Sequence, residues 1–360
     1  MTPLEERICE EIRRDGPISV ERYMALCLFD PDFGYYTTRE PFGAAGDFTT
    51  APEVSQMFGE MLGAWWVSAR RALSLPGLAL AEIGPGRGTL MSDMLRTIGR
   101  LDNGAPPDAH MVEVSTRLAQ VQKEKLKDAG ADISWHAHPQ TLPDAPLGII
   151  ANELFDAIPA AQYVKTRRGW LERSVIMNTE DRFEFGIGAH RLDETHLPAG
   201  HAARPDGQIF ETSSARTAML QSLARRIKPN GGFALFIDYG HPEPGFGDTL
   251  QAVKSQKYAG VFDHPGESDL TSQVDFAVLA GAARREGLFA SAIMEQGEFL
   301  MGCGIEARAA KLKSAGSEAV REAVDSALHR LTADTEMGRL FKVLCISSAP
   351  VDLPPLKIQH

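Results

Sequence analysis

The stretch Leu80-Ala81-Glu82-Ile83-Gly84-Pro85-Gly86-Arg87-Gly88-Thr89-Leu90 limits what this chain can fold into more than any other. Apolar residues from Gly77 to Ala81 read as the start of a short strand. Beyond the glycines, Leu90-Met91-Ser92-Asp93-Met94-Leu95-Arg96 repeats apolar residues at helical spacing. A strand that runs through a glycine-rich turn into a helix passes close beneath a ligand and aims unpaired main-chain N–H groups at it. The fold class this implies is α/β: a doubly wound, Rossmann-like sheet, mostly parallel, with ligands held beyond the carboxyl ends of its strands.

The spacing Gly84-x-Gly86-x-Gly88 is tighter than the G-x-G-x-x-G of a pyrophosphate turn, and Glu82 stands on the strand just ahead of it. A carboxylate there repels a diphosphate. It attracts the cationic end of S-adenosylmethionine, which carries an ammonium, a carboxylate and a sulfonium but no phosphate. Met111-Val112-Glu113-Val114-Ser115 meets the second requirement, an acid at the end of the next strand to accept from a ribose with free hydroxyls. The expected cofactor site is therefore Glu82, Gly84, Gly86, Gly88, Glu113 and Val114, with S-adenosylhomocysteine as product. A nicotinamide oxidoreductase would need phosphate-compatible glycine spacing and no acid at position 82.

A net charge of −11 over 360 residues leaves no sequence-wide basic field to gather nucleic acid or anionic lipid. The acidic balance suits a cationic protein partner, or simply solubility. No apolar run approaches a membrane span, and Met1-Thr2-Pro3-Leu4-Glu5-Glu6-Arg7 has neither a signal-peptide core nor the Arg-rich character of a presequence. Cys9, Cys27, Cys303 and Cys345 are scattered, with no C-x-x-C pair or histidine at metal spacing. The expectation is reduced thiols in a cytoplasm and no metal site.

Residues 1–76 read as a helical N-terminal extension with a cofactor-covering loop. Helices are expected over 4–15 and 19–28, the second capped by Ser19. In the loop Pro41-Phe42-Gly43-Ala44-Ala45-Gly46-Asp47-Phe48-Thr49-Thr50-Ala51-Pro52-Glu53, the residues Asp47, Thr49 and Glu53 fit either a cover over the cofactor or a place for the substrate. Alternatively Thr50 and Glu53 form a capping box. A helix follows from Val54 to about Leu73. Residues 77–160 and 210–350 are expected to form the S-adenosylmethionine-binding core, and 351–360 a tail. The short strand Ile133-Ser134-Trp135-His136 brings a tryptophan that suits either adenine or the core.

The buried strand Leu147-Gly148-Ile149-Ile150-Ala151 leads to Asn152-Glu153-Leu154-Phe155-Asp156, which should face the same crevice as the glycine turn. Glu153 and Asp156, three residues apart, can converge on one cation, since a guanidinium needs planar acceptors for its fork of donors. The other reading is a loop whose acids are solvated or cap the next turn. Asn152 is assigned to the cofactor. Residues 161–209 alternate as antiparallel strands with polar turns, a β-rich insertion outside the parallel sheet. Phe233-Ala234-Leu235-Phe236-Ile237-Asp238-Tyr239-Gly240 is a further core strand, with Asp238 at the substrate opening. Residues 245–266 read as an irregular loop of lid-like length. Phe341-Lys342-Val343-Leu344-Cys345-Ile346-Ser347 is expected as an antiparallel last strand at the sheet edge.

Three separated motifs together resemble the MidA family: Gly46-Asp47-Phe48-Thr49-Thr50-Ala51-Pro52-Glu53 with Phe58-Gly59-Glu60, Glu82-Ile83-Gly84-Pro85-Gly86-Arg87-Gly88, and Asn152-Glu153-Leu154-Phe155-Asp156-Ala157-Ile158-Pro159. These are bacterial proteins similar to a mitochondrial complex I assembly factor that methylates an arginine. The resemblance implies direct methyl transfer from S-adenosylmethionine to a protein arginine, a respiratory-chain subunit being the candidate partner. It implies Glu153 and Asp156 as the catalytic acids, Thr49 and Asn152 on the cofactor, and Asp47, Glu53 and Asp238 toward substrate. A small-molecule methyltransferase, a cofactor-binding assembly module without turnover, and association as a homodimer stay open.

Overall fold

The computed structural model describes residues 2–38, 50–102 and 106–359. The chain divides into two compact units, one of residues 1–48, 155–218 and 243–275, the other of residues 49–154, 219–242 and 276–360.

The second unit is built on one large sheet. In chain order the strands along its main path are β1 (Ala79–Ile83), β2 (Ala109–Val112), β3 (Ile133–His136), β4 (Leu147–Asn152), β5 (Gly232–His241), β6 (Phe289–Ser291), β7 (Phe341–Ser347) and β8 (Ile358–Gln359). They lie in the order β8-β6-β7-β5-β4-β1-β2-β3. The pairs from β5 through β3 are all parallel. Residues of β1 and β4 are buried throughout, as strands in a sheet covered on both faces must be, and each carries one polar residue near its carboxyl end, Glu82 and Asn152. The chain moves outward from β1 to β2 and β3, then returns to place β4 on the other side of β1. That reversal puts the loops after β1 and β4 side by side at the switch point, where ligands bind in such sheets.

β7 is antiparallel, as expected from sequence, but it is no edge. It lies between β5 and β6, paired with both, and every one of its seven residues is buried. Lys342 is buried here, its ammonium donating to the Arg339 carbonyl. Side-chain caps open two helices of this unit: Ser55 Oγ accepts from Met57 N ahead of Gln56–Ala72, and Ser115 Oγ from Leu118 N ahead of Thr116–Leu126. The buried Glu60 carboxylate receives a bidentate pair from Arg308 at 2.7 and 2.8 Å.

The first unit is helical and antiparallel. The helix Pro3–Asp15 opens with a complete capping box between Thr2 and Glu5, and Val20–Phe29 is capped by Ser19, as its sequence predicts. Ile18–Ser19 then pairs with Gly169–Met177, so the N-terminal segment shares a sheet with the β-rich insertion. Ala161–Thr166 and Ile209–Thr212 complete one side of that sheet and Phe183–Arg191 the other. The stretch 245–266, expected to be irregular, contains a hairpin of Gln251–Lys254 with Lys257–Ala259, whose turn holds Ser255 and Gln256 at positive φ. Neither residue is the glycine that marks such a turn in a sequence.

Candidate active site

All three glycines of the turn after β1 sit in the left-handed region, Gly84 at φ 67°, Gly86 at 52° and Gly88 at 77°. L side chains are strained there, so the turn needs glycine at each step. Gly88 caps the helix Thr89–Leu101 with no side-chain hydrogen bond, so its first-turn N–H groups get no partner from a cap side chain.

Glu82 is 3% exposed at the end of β1, and its Oε2 is buried with no hydrogen-bond partner among the described residues. Burial pushes its carboxyl up to about 8, against a bond from the main chain of Met91, with the nearby Glu113 adding to the rise. A carboxylate left this short of partners is built for a cation. Asn152, at the end of β4, donates from Nδ2 to Glu153 Oε1 at 3.0 Å, while its own Oδ1 is likewise buried and unpaired. The two orphan oxygens and the glycine cradle fit a ligand that brings its own donors, as the ammonium and hydroxyl groups of S-adenosylmethionine do.

Glu113 Oε1 accepts from Ser115 N at 2.8 Å and Oε2 from Gln122 Nε2 at 3.1 Å. Burial raises its carboxyl, and those two bonds oppose the rise. Val114 beside it is 68% exposed, an apolar face left open next to the acid. Trp135 sends its indole N–H to Gln122 Oε1 at 3.0 Å and packs against the core of the unit, the second of its two sequence readings.

Glu153 adopts φ 52°, unusual for a residue with a side chain. Its amide donates to the Ile237 carbonyl at 2.8 Å, and its Oε1 accepts from Ala51 N at 3.1 Å. Asp238 is fully buried on β5, accepting from Leu154 N at 3.1 Å and Tyr239 N at 2.9 Å, so it holds the loop after β4 from beneath. Thr50 caps Ala51–Val54 with no side-chain bond, so the capping box is not formed; Glu53 Oε1 instead accepts from Thr89 Oγ1 at 2.5 Å. Lys125 donates to the same hydroxyl. Asp47 and Thr49 lie outside the described residues.

In the first unit, Asp156 is 9% exposed, and burial pushes its carboxyl up to about 6 against the pull of Arg216. The Arg216 guanidinium donates to the main-chain carbonyls of Asp156, Ile158, Ser272 and Gln273. The second unit thus brings together Glu82, the three glycines, Glu113, Asn152, Glu153 and Glu53.

Sequence reasoning did not find Gln122, Thr89, Lys125 or Arg216. A signal for Gln122 existed: it stands four residues from both Leu118 and Leu126, on the buried line of its helix.

Comparison with known proteins identifies the cofactor class. Residues 61–294 match the model of a family described as S-adenosyl-L-methionine-dependent methyltransferase. The mitochondrial protein arginine methyltransferase NDUFAF7 of Homo sapiens is 31% identical over 374 residues, covering 96% of this chain and 83% of that protein. Its homolog in Drosophila melanogaster is 32% identical over 372 residues, covering 95% and 84%. Among solved structures, a superfamily member from Burkholderia thailandensis bound to S-adenosyl-homocysteine superposes with a TM-score of 0.85 at 27% identity, over 96% of this chain and 91% of the other.

Proposed function

The chain belongs to this S-adenosyl-L-methionine-dependent methyltransferase family, and from that premise we propose that its methyl acceptor is an arginine side chain of a protein, a respiratory-chain subunit being the first candidate. The observation that carries the reading is Glu153. It is a half-buried carboxylate held at positive φ at the switch point of the sheet, and backbone strain of that kind is retained where the surroundings demand one side-chain direction. The names of the relatives, protein arginine methyltransferases, supply the substrate class.

When bound, S-adenosylmethionine would supply an electrophilic methyl group, the N–C bond forming as the S–C bond breaks, with S-adenosylhomocysteine as leaving group and the acceptor nitrogen's proton lost to solvent. The residues align and desolvate the reacting nitrogen, and no covalent enzyme intermediate is required. Glu82 takes the ammonium, and Glu113 accepts from the ribose hydroxyls beside the apolar face of Val114. Asn152 Oδ1 would accept a further donor of the cofactor, and Thr49 is the other residue the family resemblance assigns to it. Glu153 orients the guanidinium and keeps electron density on the attacked nitrogen, with Asp156 the second acid assigned to it. Asp47 and Glu53 are the residues the family resemblance assigns to the acceptor, and Asp238 acts through the loop it holds. The four free thiols support a reducing cytoplasm as the compartment.

The test is transfer of labelled methyl groups to arginine-containing peptides of respiratory subunits, by the natural enzyme and by Glu153→Gln and Asp156→Asn. Label on arginine, lost in both variants while cofactor binding persists, is the expected result. Binding without label on any protein would favour an assembly module, and label confined to the small-molecule fraction would overturn the protein substrate.

A further inference from the structure

Gln122 is completely buried, and both ends of its amide are hydrogen-bonded. Nε2 donates to the Gly86 carbonyl at 2.8 Å and to Glu113 Oε2 at 3.1 Å, and Oε1 accepts from Trp135 Nε1 at 3.0 Å. An indole N–H can only donate, and a carbonyl and a carboxylate can only accept, so the partners themselves decide which end of the amide faces which way. One side chain therefore spans the glycine turn after β1, the acid after β2 and the tryptophan on β3. The packing agrees: a Cβ at Gly88 would lie 3.5 Å from Gln122 Cγ, so the turn rests on this side chain as well as bonding to it.

We infer that Gln122 is the positioning residue for ribose recognition: it fixes the Glu113 carboxylate relative to the glycine turn, so that the acid meets a ribose whose amino-acid arm is already seated. The inference rests on the reading of Glu113 as the ribose acceptor. With Ser115 N on one oxygen and Gln122 on the other, the carboxylate cannot rotate, and it keeps acceptor capacity for hydroxyl donors. Without Gln122, the Gly86 carbonyl and the Trp135 N–H lose their partner and Glu113 is free to turn. Placement errors of that size are enough to forfeit a directional contact.

The experiment is calorimetric binding of S-adenosylhomocysteine and of its analogue lacking the ribose 2′-hydroxyl, to the natural protein and to Gln122→Met, which keeps length and loses every polar contact. The natural protein should prefer the full ligand by about tenfold or more, the usual size of a bond to a charged acceptor. In Gln122→Met that preference should shrink to about two- or threefold. A purely structural role would weaken both ligands alike and leave the ratio at its natural value, which overturns the inference. Trp135→Phe is the second variant should the first not fold: it removes the donor that orients the amide, and the ratio should fall in the same direction. Equal binding of the two ligands by the natural protein would instead sink the ribose role of Glu113, a failure distinguishable from that of Gln122.

Discussion

The Glu153 carboxylate accepts the main-chain N–H of Ala51 at 3.1 Å, so the residue just past β4 is tied to the first turn of Ala51–Val54. The same oxygen accepts from Asn152 Nδ2, and the backbone that aims it there is left-handed. One residue thus combines strain with two bonds that only its side chain can make.

Those two contributions can be separated. Glu153→Ala removes the acceptor and keeps the strain, at a cost of about 1–3 kcal/mol. Glu153→Gly removes both and should be more stable than the alanine variant by about 1 kcal/mol. Urea unfolding of the pair measures the difference; an alanine variant equal to or better than glycine would contradict the strain.

Glu82 makes stability and binding depend on pH in opposite senses. Its carboxyl is raised to about 8 in the folded chain, so between the ordinary carboxylate range and pH 8 the folded state holds a proton that the unfolded state has released. The stability this group contributes is complete below the unfolded pKa and is lost as pH rises through about 8. A cationic ligand favours the ionised form, so binding near pH 7 should release up to about one proton and tighten as pH rises toward 8. Calorimetry of S-adenosylhomocysteine in buffers of different ionisation enthalpy reads that proton, and Glu82→Gln should abolish it.

Gly84→Ala should harm folding and binding together. The residue sits at φ 67°, and a Cβ there would come within 3.0 Å of Leu154 Cδ1. A destabilisation of about 1–3 kcal/mol with weaker retention of S-adenosylhomocysteine is expected, read by thermal melting with and without ligand.

Gly148→Ala should act on the core alone. Its Cβ would stand 2.3 Å from Trp66 Nε1, whose N–H donates to the Gly148 carbonyl at 3.1 Å. The loss of about 2–3 kcal/mol should appear in urea unfolding, while ligand affinity at a temperature where the variant stays folded remains unchanged.

The amino-acid sequence by itself determined the local grammar. The glycine turn, the acid ahead of it, the acid after β2, the cap at Ser19 and the runs that became β1, β4 and β5 are all written in residues a few positions apart. Turn sterics, capping and hydrophobic period act over that range. Tertiary structure decided what depends on partners distant in sequence. Phe341–Ser347 carries an apolar run, but nothing within it says that β6 will close over its far side. Ile18–Ser19 becomes a strand only because Val175 and Ser174 meet it. Gln122 reads as an ordinary helix residue until folding brings Gly86, Glu113 and Trp135 to its amide. A buried polar group is worth little until every bond it can make is made, and those partners come from separate strands and turns of the sheet.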